Sequence, residues 1–389
     1  MSCRHALARS ALILVCLAGL GSTPQAAPPA RLMPRGVLAA KDGVAGDHFG
    51  SAVAIQGDTA VVGAPDGAGA AYVFVRRGDR WVQEAKLLPS GSAPGFGGTV
   101  AISGDTIAVA TQAQSVEVFV RRWSGWQRQA VLTAPDAPRP DEPHPNLGYT
   151  VALDGNVLVT SGLMGGAWWG SWVYVFERTG DAWGPAVLLD VPGFDNVVAV
   201  SRGTVAVQDQ LWGNEIWVYT KGDGTWPRQA TLQPEDSVNF LGRLAIQGDR
   251  VLAVAHAATP SDTTFDTVAY AYQRQGGDWR RSTLLRRTAE LTDDSYNVGL
   301  WGAWFSGPTP VFGAWWTTDG RATLAAADRA GRVPFPWEVG LWTLAGVPAR
   351  SAQAGDGIPA LAMDDQTIAL GAPWSLGEAG AVYLFQRPR

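Results

Sequence analysis

The chain of 389 residues has two cysteines, and both, Cys3 and Cys16, fall within its first 26 residues. Beyond that segment no thiol exists to form a disulfide, ligate a metal or act as a nucleophile. Histidine is nearly as scarce, with only His48, His144 and His256 outside the same segment. They lie far apart, and no HExxH pair, GxSxG elbow or GxxxxGK[ST] loop accompanies them, which lowers an enzyme reading without removing it. Charged residues make up 17% of the chain, the net charge is −5, and there is no run of Lys or Arg. An acidic chain without clustered cations has little to neutralise phosphates with, which argues against a nucleic-acid partner. Long apolar runs are missing too. Ala11–Leu20 is apolar but too short to span a bilayer. With Arg4 and Arg9 before it and Gln25-Ala26-Ala27 after it, this stretch reads as a secretory signal over residues 1–26. A secreted, periplasmic or extracellular protein of residues 27–389 is expected, with no transmembrane span.

What the chain has in abundance is glycine, 47 residues, and tryptophan, 18. They recur in a pattern. Phe49–Pro65 (FGSAVAIQGDTAVVGAP) alternates apolar residues, turns at Gly57-Asp58 and continues into the β-branched pair Val61-Val62. Similar hairpins start at Phe96, Leu147, Phe194, Phe240 and Gly357, and AIQGD occurs identically at Ala54–Asp58 and Ala245–Asp249. A second hairpin follows each, with a Trp opening its last strand and a Leu six residues on: Trp81/Leu87, Trp126/Leu132, Trp183/Leu189, Trp226/Leu232 and Trp279/Leu285. The even offset predicts that both side chains share one strand face. Each unit is thus four antiparallel strands, A to D. Units of about 50 residues cannot each bury a core, so they must stack into one domain. A sixth, degenerate unit is expected with strands near Asn297–Trp304, Val311–Trp315, Ala322–Ala327 and Trp337–Leu344. A seventh stops after Val382–Phe385. Its missing fourth strand has a candidate at the other end of the chain, where Leu38 takes the place of Leu87 and Leu32 takes the Trp slot. The expected fold is all-β: a seven-bladed β-propeller of four-stranded antiparallel blades, closed by an N-terminal strand that completes the last blade.

The units resemble FG-GAP repeats, the blades of the integrin α-subunit propeller, in a form with a short A–B turn. Phe49-Gly50 and Phe96-Gly97 match the FG element, and Gly63-Ala64-Pro65 and Gly371-Ala372-Pro373 match GAP. Many such blades hold calcium in an Asp-rich A–B loop. Here that loop is a tight turn with one carboxylate, which turn chemistry alone would select, so neither calcium nor another cofactor is expected. Arg77-Gly78-Asp79 spells an adhesion triplet. Thr179-Gly180-Asp181 and Lys221-Gly222-Asp223 fill the same C–D turn, so the Gly-Asp belongs to the repeat.

Function is then expected to be binding rather than catalysis. The A–B and C–D turns are short and repetitive, whereas the B–C and D–A connections vary in length and composition. Variable loops on a rigid frame are where specificity is placed. Trp168, Trp169, Trp172 and Trp374 lie at or beside B–C loops, and Asp262 and Asp266 lie in predicted loops; these six are the candidate ligand-binding residues. The expected protein is a monomeric, non-catalytic binding or adhesion module with a protein or glycan on its B–C/D–A face. The alternative is a carbohydrate-binding or carbohydrate-active propeller using the same Trp and carboxylates.

Overall fold

The computed structural model describes residues 30–386 apart from 112–114, 136–145, 165–169, 192–195, 209–214, 235–237, 241–243, 259–263, 291–298, 307–308, 317–320, 327–341, 345–359 and 377. Among the described residues the regular elements are all strands, and they form seven sheets of four or five strands each. The first sheet shows the plan. Ala52–Gln56 (A), Thr59–Ala64 (B), Ala70–Arg77 (C) and Arg80–Leu87 (D) pair antiparallel in chain order. Strands B and C are buried almost throughout, while D alternates exposed and half-buried positions. B and C are therefore the middle of the sheet and D its outer edge. The same order recurs in the five sheets that follow, to Trp342–Leu344 in the sixth. The A–B turns reverse through left-handed glycines, with φ of +58° at Gly57, +56° at Gly104 and +58° at Gly155.

The last sheet takes its fourth strand from the start of the chain. Leu361–Met363, Thr367–Ala372 and Ala381–Gln386 are joined by Gly36–Leu38, antiparallel to Ala381–Gln386. Leu38 lies opposite Val382 as Leu87 lies opposite Ala71 in the first sheet, so the register expected from sequence is the register formed. Leu32 is placed differently from the expectation. Ala30–Leu32 pairs parallel with Trp342–Leu344 of the sixth sheet, not with the last one. Its side chain nevertheless packs against Val311, Leu361 and Phe385, between those two sheets. That is the space a D-strand Trp fills elsewhere, reached here from a different backbone position.

The Trp–Leu pairs also correct the sequence reading. Trp and Leu do not share a face. In the first sheet the pairing skips Glu84, and in the second it skips Gln129, each a β-bulge between the Trp and the Leu. One extra residue inverts the alternation. Trp81 therefore packs back against the last sheet, with Val62, Ala369 and Leu384, while Leu87 packs forward with Val100 and Ile107 of the second. Trp126 and Leu132 divide in the same way. Each of these two D strands thus links its sheet to both neighbours.

The sheets also meet through the FG and GAP residues. Phe49 and Phe96 are fully buried. The glycine after each has a positive φ, +101° at Gly50 and +99° at Gly97, which a side chain would rarely adopt. The carbonyl of Gly97 lies directly against the Cα of Gly63 in the preceding sheet, and that of Gly50 against Gly371 of the last. The first and last sheets share a core of Leu38, Phe49, Tyr72, Ala369 and Leu384, so the two ends of the repeat series are in contact.

Candidate functional site

The two loop faces differ in how their polar groups are used. On the A–B/C–D face a small network repeats. The turn residue after the glycine meets a strand-C cation: Arg76 Nε donates to Asp58 at 2.6 Å, Arg178 Nε donates to Asn156 at 3.0 Å, and Arg274 lies 3.8 Å from Asp249. The same guanidinium stacks on the D-strand Trp, Arg121 over Trp126 at 4.8 Å and Arg178 over Trp183 at 5.4 Å. The indole N–H then donates to the bulge residue of the sheet before, Trp126 to Glu84 at 2.9 Å and Trp183 to Gln129 at 2.9 Å. The turn carboxylates are thus partnered by arginine, and among the described residues no group of three or more His, Asp or Glu is placed to hold a metal ion. Sequence reading passed over Arg76, Arg121, Arg178 and Arg274, although a cation at that point of every strand C was visible.

The B–C/D–A face is different where the first and last sheets meet. Three segments converge there: the connection 39–49, the B–C loop 65–69, and residues 373–376 and 378–380 of a second B–C loop. Gly46 N–H donates to the Glu378 carbonyl at 3.1 Å and Phe49 N–H to the Ala379 carbonyl at 3.2 Å. His48 Nδ1 is bonded to the Asp66 carboxylate. Its ring stands edge-on to Trp374, with centroids 4.0 Å apart. The other ring nitrogen, Nε2, is buried and has no hydrogen-bond partner among the described residues. The backbone is strained at the same place. His48, Leu376 and Glu378 have φ of +51°, +52° and +71°, three of the four described non-glycine residues in that region. Val44 and Leu376 project into solvent, each 62% exposed.

The six sequence-predicted site residues are not brought together. Trp374 is in this seam, half-buried against His48. Trp172 lies within the strand Gly170–Thr179 and packs, half-buried, toward the second sheet with Leu147 and Tyr174. Asp266 is in the strand Thr264–Gln275, opposite Ala257 and Thr288, rather than in a loop. The β-rich TFDTVAYAY run explains this, because it extends strand C beyond the repeat frame. Trp168, Trp169 and Asp262 lie outside the described residues. Sequence reading also passed over Trp123, which is fully exposed in a C–D turn on the opposite face. It sits two places beyond Arg121, where the corresponding positions of other repeats hold Gly78, Gly180, Asp223 and Gly276, and that contrast was the available signal.

Propeller-like, all-β architecture is what these sheets define. Within it, the FG-GAP repeat model matches residues 35–74, from the N-terminal strand through Phe49-Gly50 and Gly63-Ala64 into strand C. Among solved structures the chain is similar to one in the crystal structure of the Mitotic Checkpoint Complex, at 11% identity over 95% of this chain and 98% of that one, with a TM-score of 0.52. It is also similar to a putative 6-phosphogluconolactonase from Bacteroides uniformis, at 10% identity over 73% of this chain and 83% of that one, with a TM-score of 0.50. At such identities the likeness concerns the fold alone. No curated protein matches the sequence.

Proposed function

We propose that this chain is a secreted, monomeric, non-catalytic protein-interaction module, a closed ring of seven four-stranded blades that binds a protein partner on its B–C/D–A face. The observation that carries this reading is the contrast between the two faces. On one, the turn carboxylates and arginines are consumed in a repeating network that holds sheet to sheet. On the other, the Val44–Leu376 seam leaves apolar side chains in water and a histidine nitrogen without a partner among the described residues. Groups left unsatisfied on a rigid frame are what a partner completes. The ring reading is supported by seven sheets in sequence and by the shared core of the first and last. An apolar N-terminal stretch preceded by Arg4 and Arg9 and followed by Gln25-Ala26-Ala27 supports export.

Substituting the two faces separately tests this reading. Capture of partners from envelope extract should fall when B–C/D–A residues such as Val44 and Trp374 are replaced with Ala. It should persist in Trp123→Ala. Loss of capture in Trp123→Ala alone would move the surface to the other face. Hydrolysis of a substrate by the purified chain would overturn the non-catalytic reading.

A further inference from the structure

The geometry points to the seam between the first and last sheets as a docking site for a partner segment that pairs an aliphatic or aromatic side chain with a Lys or Arg. This deepens the proposed function and rests on it.

The apolar half follows from Leu376. A leucine at φ +52° adopts a conformation suited to Gly or Asn, and its side chain is 62% exposed. Strain and exposure each disfavour leucine here, and among the described residues it belongs to no core cluster. Val44 is exposed to the same extent, on the segment that is hydrogen-bonded through Gly46 to the Glu378 carbonyl. Two aliphatic side chains thus border one seam, next to the half-buried Trp374.

The basic half follows from charge. The seam carries Asp42, Asp47, Asp66 and Glu378 against Lys41 and Lys86. Lys86 is tied to Asp42 at 2.6 Å, Asp66 holds His48, and Asp47 accepts from the Val44 N–H at 3.0 Å. Glu378 is exposed, also at positive φ, and lies in the same loop as Leu376, two residues on. An incoming cation would meet Glu378 and the exposed side of Asp66, while an incoming carboxylate would be repelled by both.

The test uses the full chain and an array of synthetic peptides. Each peptide pairs Leu, Ile or Phe with Lys or Arg at a spacing of one to four residues, and each has a matched copy with Glu in place of the cation. Wild type should bind the basic members at least about tenfold more tightly than their Glu copies. Leu376→Asn relieves the backbone strain, so its melting temperature should equal or exceed wild type while peptide binding falls about tenfold. Glu378→Lys should invert the charge preference. An array without preference, or Leu376→Asn binding as wild type, would overturn the proposal. So would a concentration-dependent dimer of the chain that Leu376→Asn abolishes, because the occupant would then be a second copy. If the array fails while other B–C/D–A substitutions still abolish partner capture, the seam proposal falls and the reading of the face stands.

Discussion

A Cβ on Gly63 would lie 1.8 Å from the carbonyl oxygen of Gly97 in the next repeat. No side chain fits there without moving backbone. The same holds for Gly371, where a Cβ would lie 2.0 Å from the carbonyl of Gly50. Gly63→Ala and Gly371→Ala should therefore each lower stability by more than about 2 kcal/mol, read as the shift in urea midpoint. Gly36→Ala, where the nearest atom is a leucine methyl at 3.9 Å, should cost far less. Equal effects at the three sites would show that repeat-to-repeat contact does not rest on these glycines.

The short closing strand makes a second contrast. Leu38 is buried in the core shared by the first and last sheets, whereas its neighbour Val37 is exposed. Leu38→Ala should cost about 2–4 kcal/mol, and Val37→Ala less than about 0.5 kcal/mol. Removing residues 1–38 should leave the edge of Ala381–Gln386 open and promote aggregation, measurable by light scattering.

Glu117 is buried at 1% exposure, at a strand-C position that holds Tyr72, Tyr174, Trp217, Tyr270 and Tyr383 in other repeats. Its carboxylate accepts from Ser90 N–H at 2.8 Å, Ser90 Oγ at 2.9 Å and Arg128 Nε at 2.5 Å. Removing one partner leaves a buried charge poorly compensated, so Arg128→Ala should destabilise by about 3 kcal/mol. The double variant Glu117→Tyr with Arg128→Gln should recover much of that loss, since both charges are gone and the ring fits the site in sister repeats. A double variant less stable than Arg128→Ala would contradict this account.

Two buried tyrosines predict an alkaline limit. Burial pushes both Tyr174 and Tyr219 up to about 12 from 10. A raised folded-state value means the unfolded chain loses these protons first. Their contribution is complete below pH 10 and is lost as pH rises from about 10 to about 12. The two differ in partner: Tyr219 donates to the Asp190 carbonyl at 2.6 Å, and the Tyr174 hydroxyl is buried without one among the described residues. Tyr219→Phe should cost about 1 kcal/mol, and Tyr174→Phe should be neutral or stabilising. Each should flatten the loss of stability above pH 10, read from denaturant midpoints across that range.

Metal removal gives a further check. Asp58 and Asp249 each face a strand-C arginine. Exchanging millimolar calcium for EDTA should leave the melting temperature nearly unchanged, because a ligand bound only by the native state would raise it. A drop of many degrees would mean that cations, not arginines, hold those turns.

Much of the fold was legible because it repeats. Gly-Asp turns, β-branched runs and the Leu38–Leu87 match located the strands and the register of the N-terminal one. The bulges were not legible: Glu84 and Gln129 look like ordinary outward residues, and only the pairing reveals that they invert the strand. Leu32 was matched to the right packing space but to the wrong neighbouring strand, since a side-chain pattern does not say which backbone it pairs with. The seam was hardest to foresee. His48, Asp66 and Trp374 come from three distant segments, and Trp374 alone stood out from the repeat pattern.

The strand Gly36–Leu38 has a consequence for the order of assembly. It joins residues separated by nearly the whole chain through three residues of pairing, whereas the other sheets form almost wholly from their own repeats. Local hairpins form first, because closing a long loop costs entropy that only the finished contact offsets. The last sheet is therefore expected to complete after its neighbours, and during synthesis only once Ala381–Gln386 has emerged. Until then its edge and the Val382–Leu384 face stay open, which makes this sheet the point where a nascent chain is most exposed to misassembly.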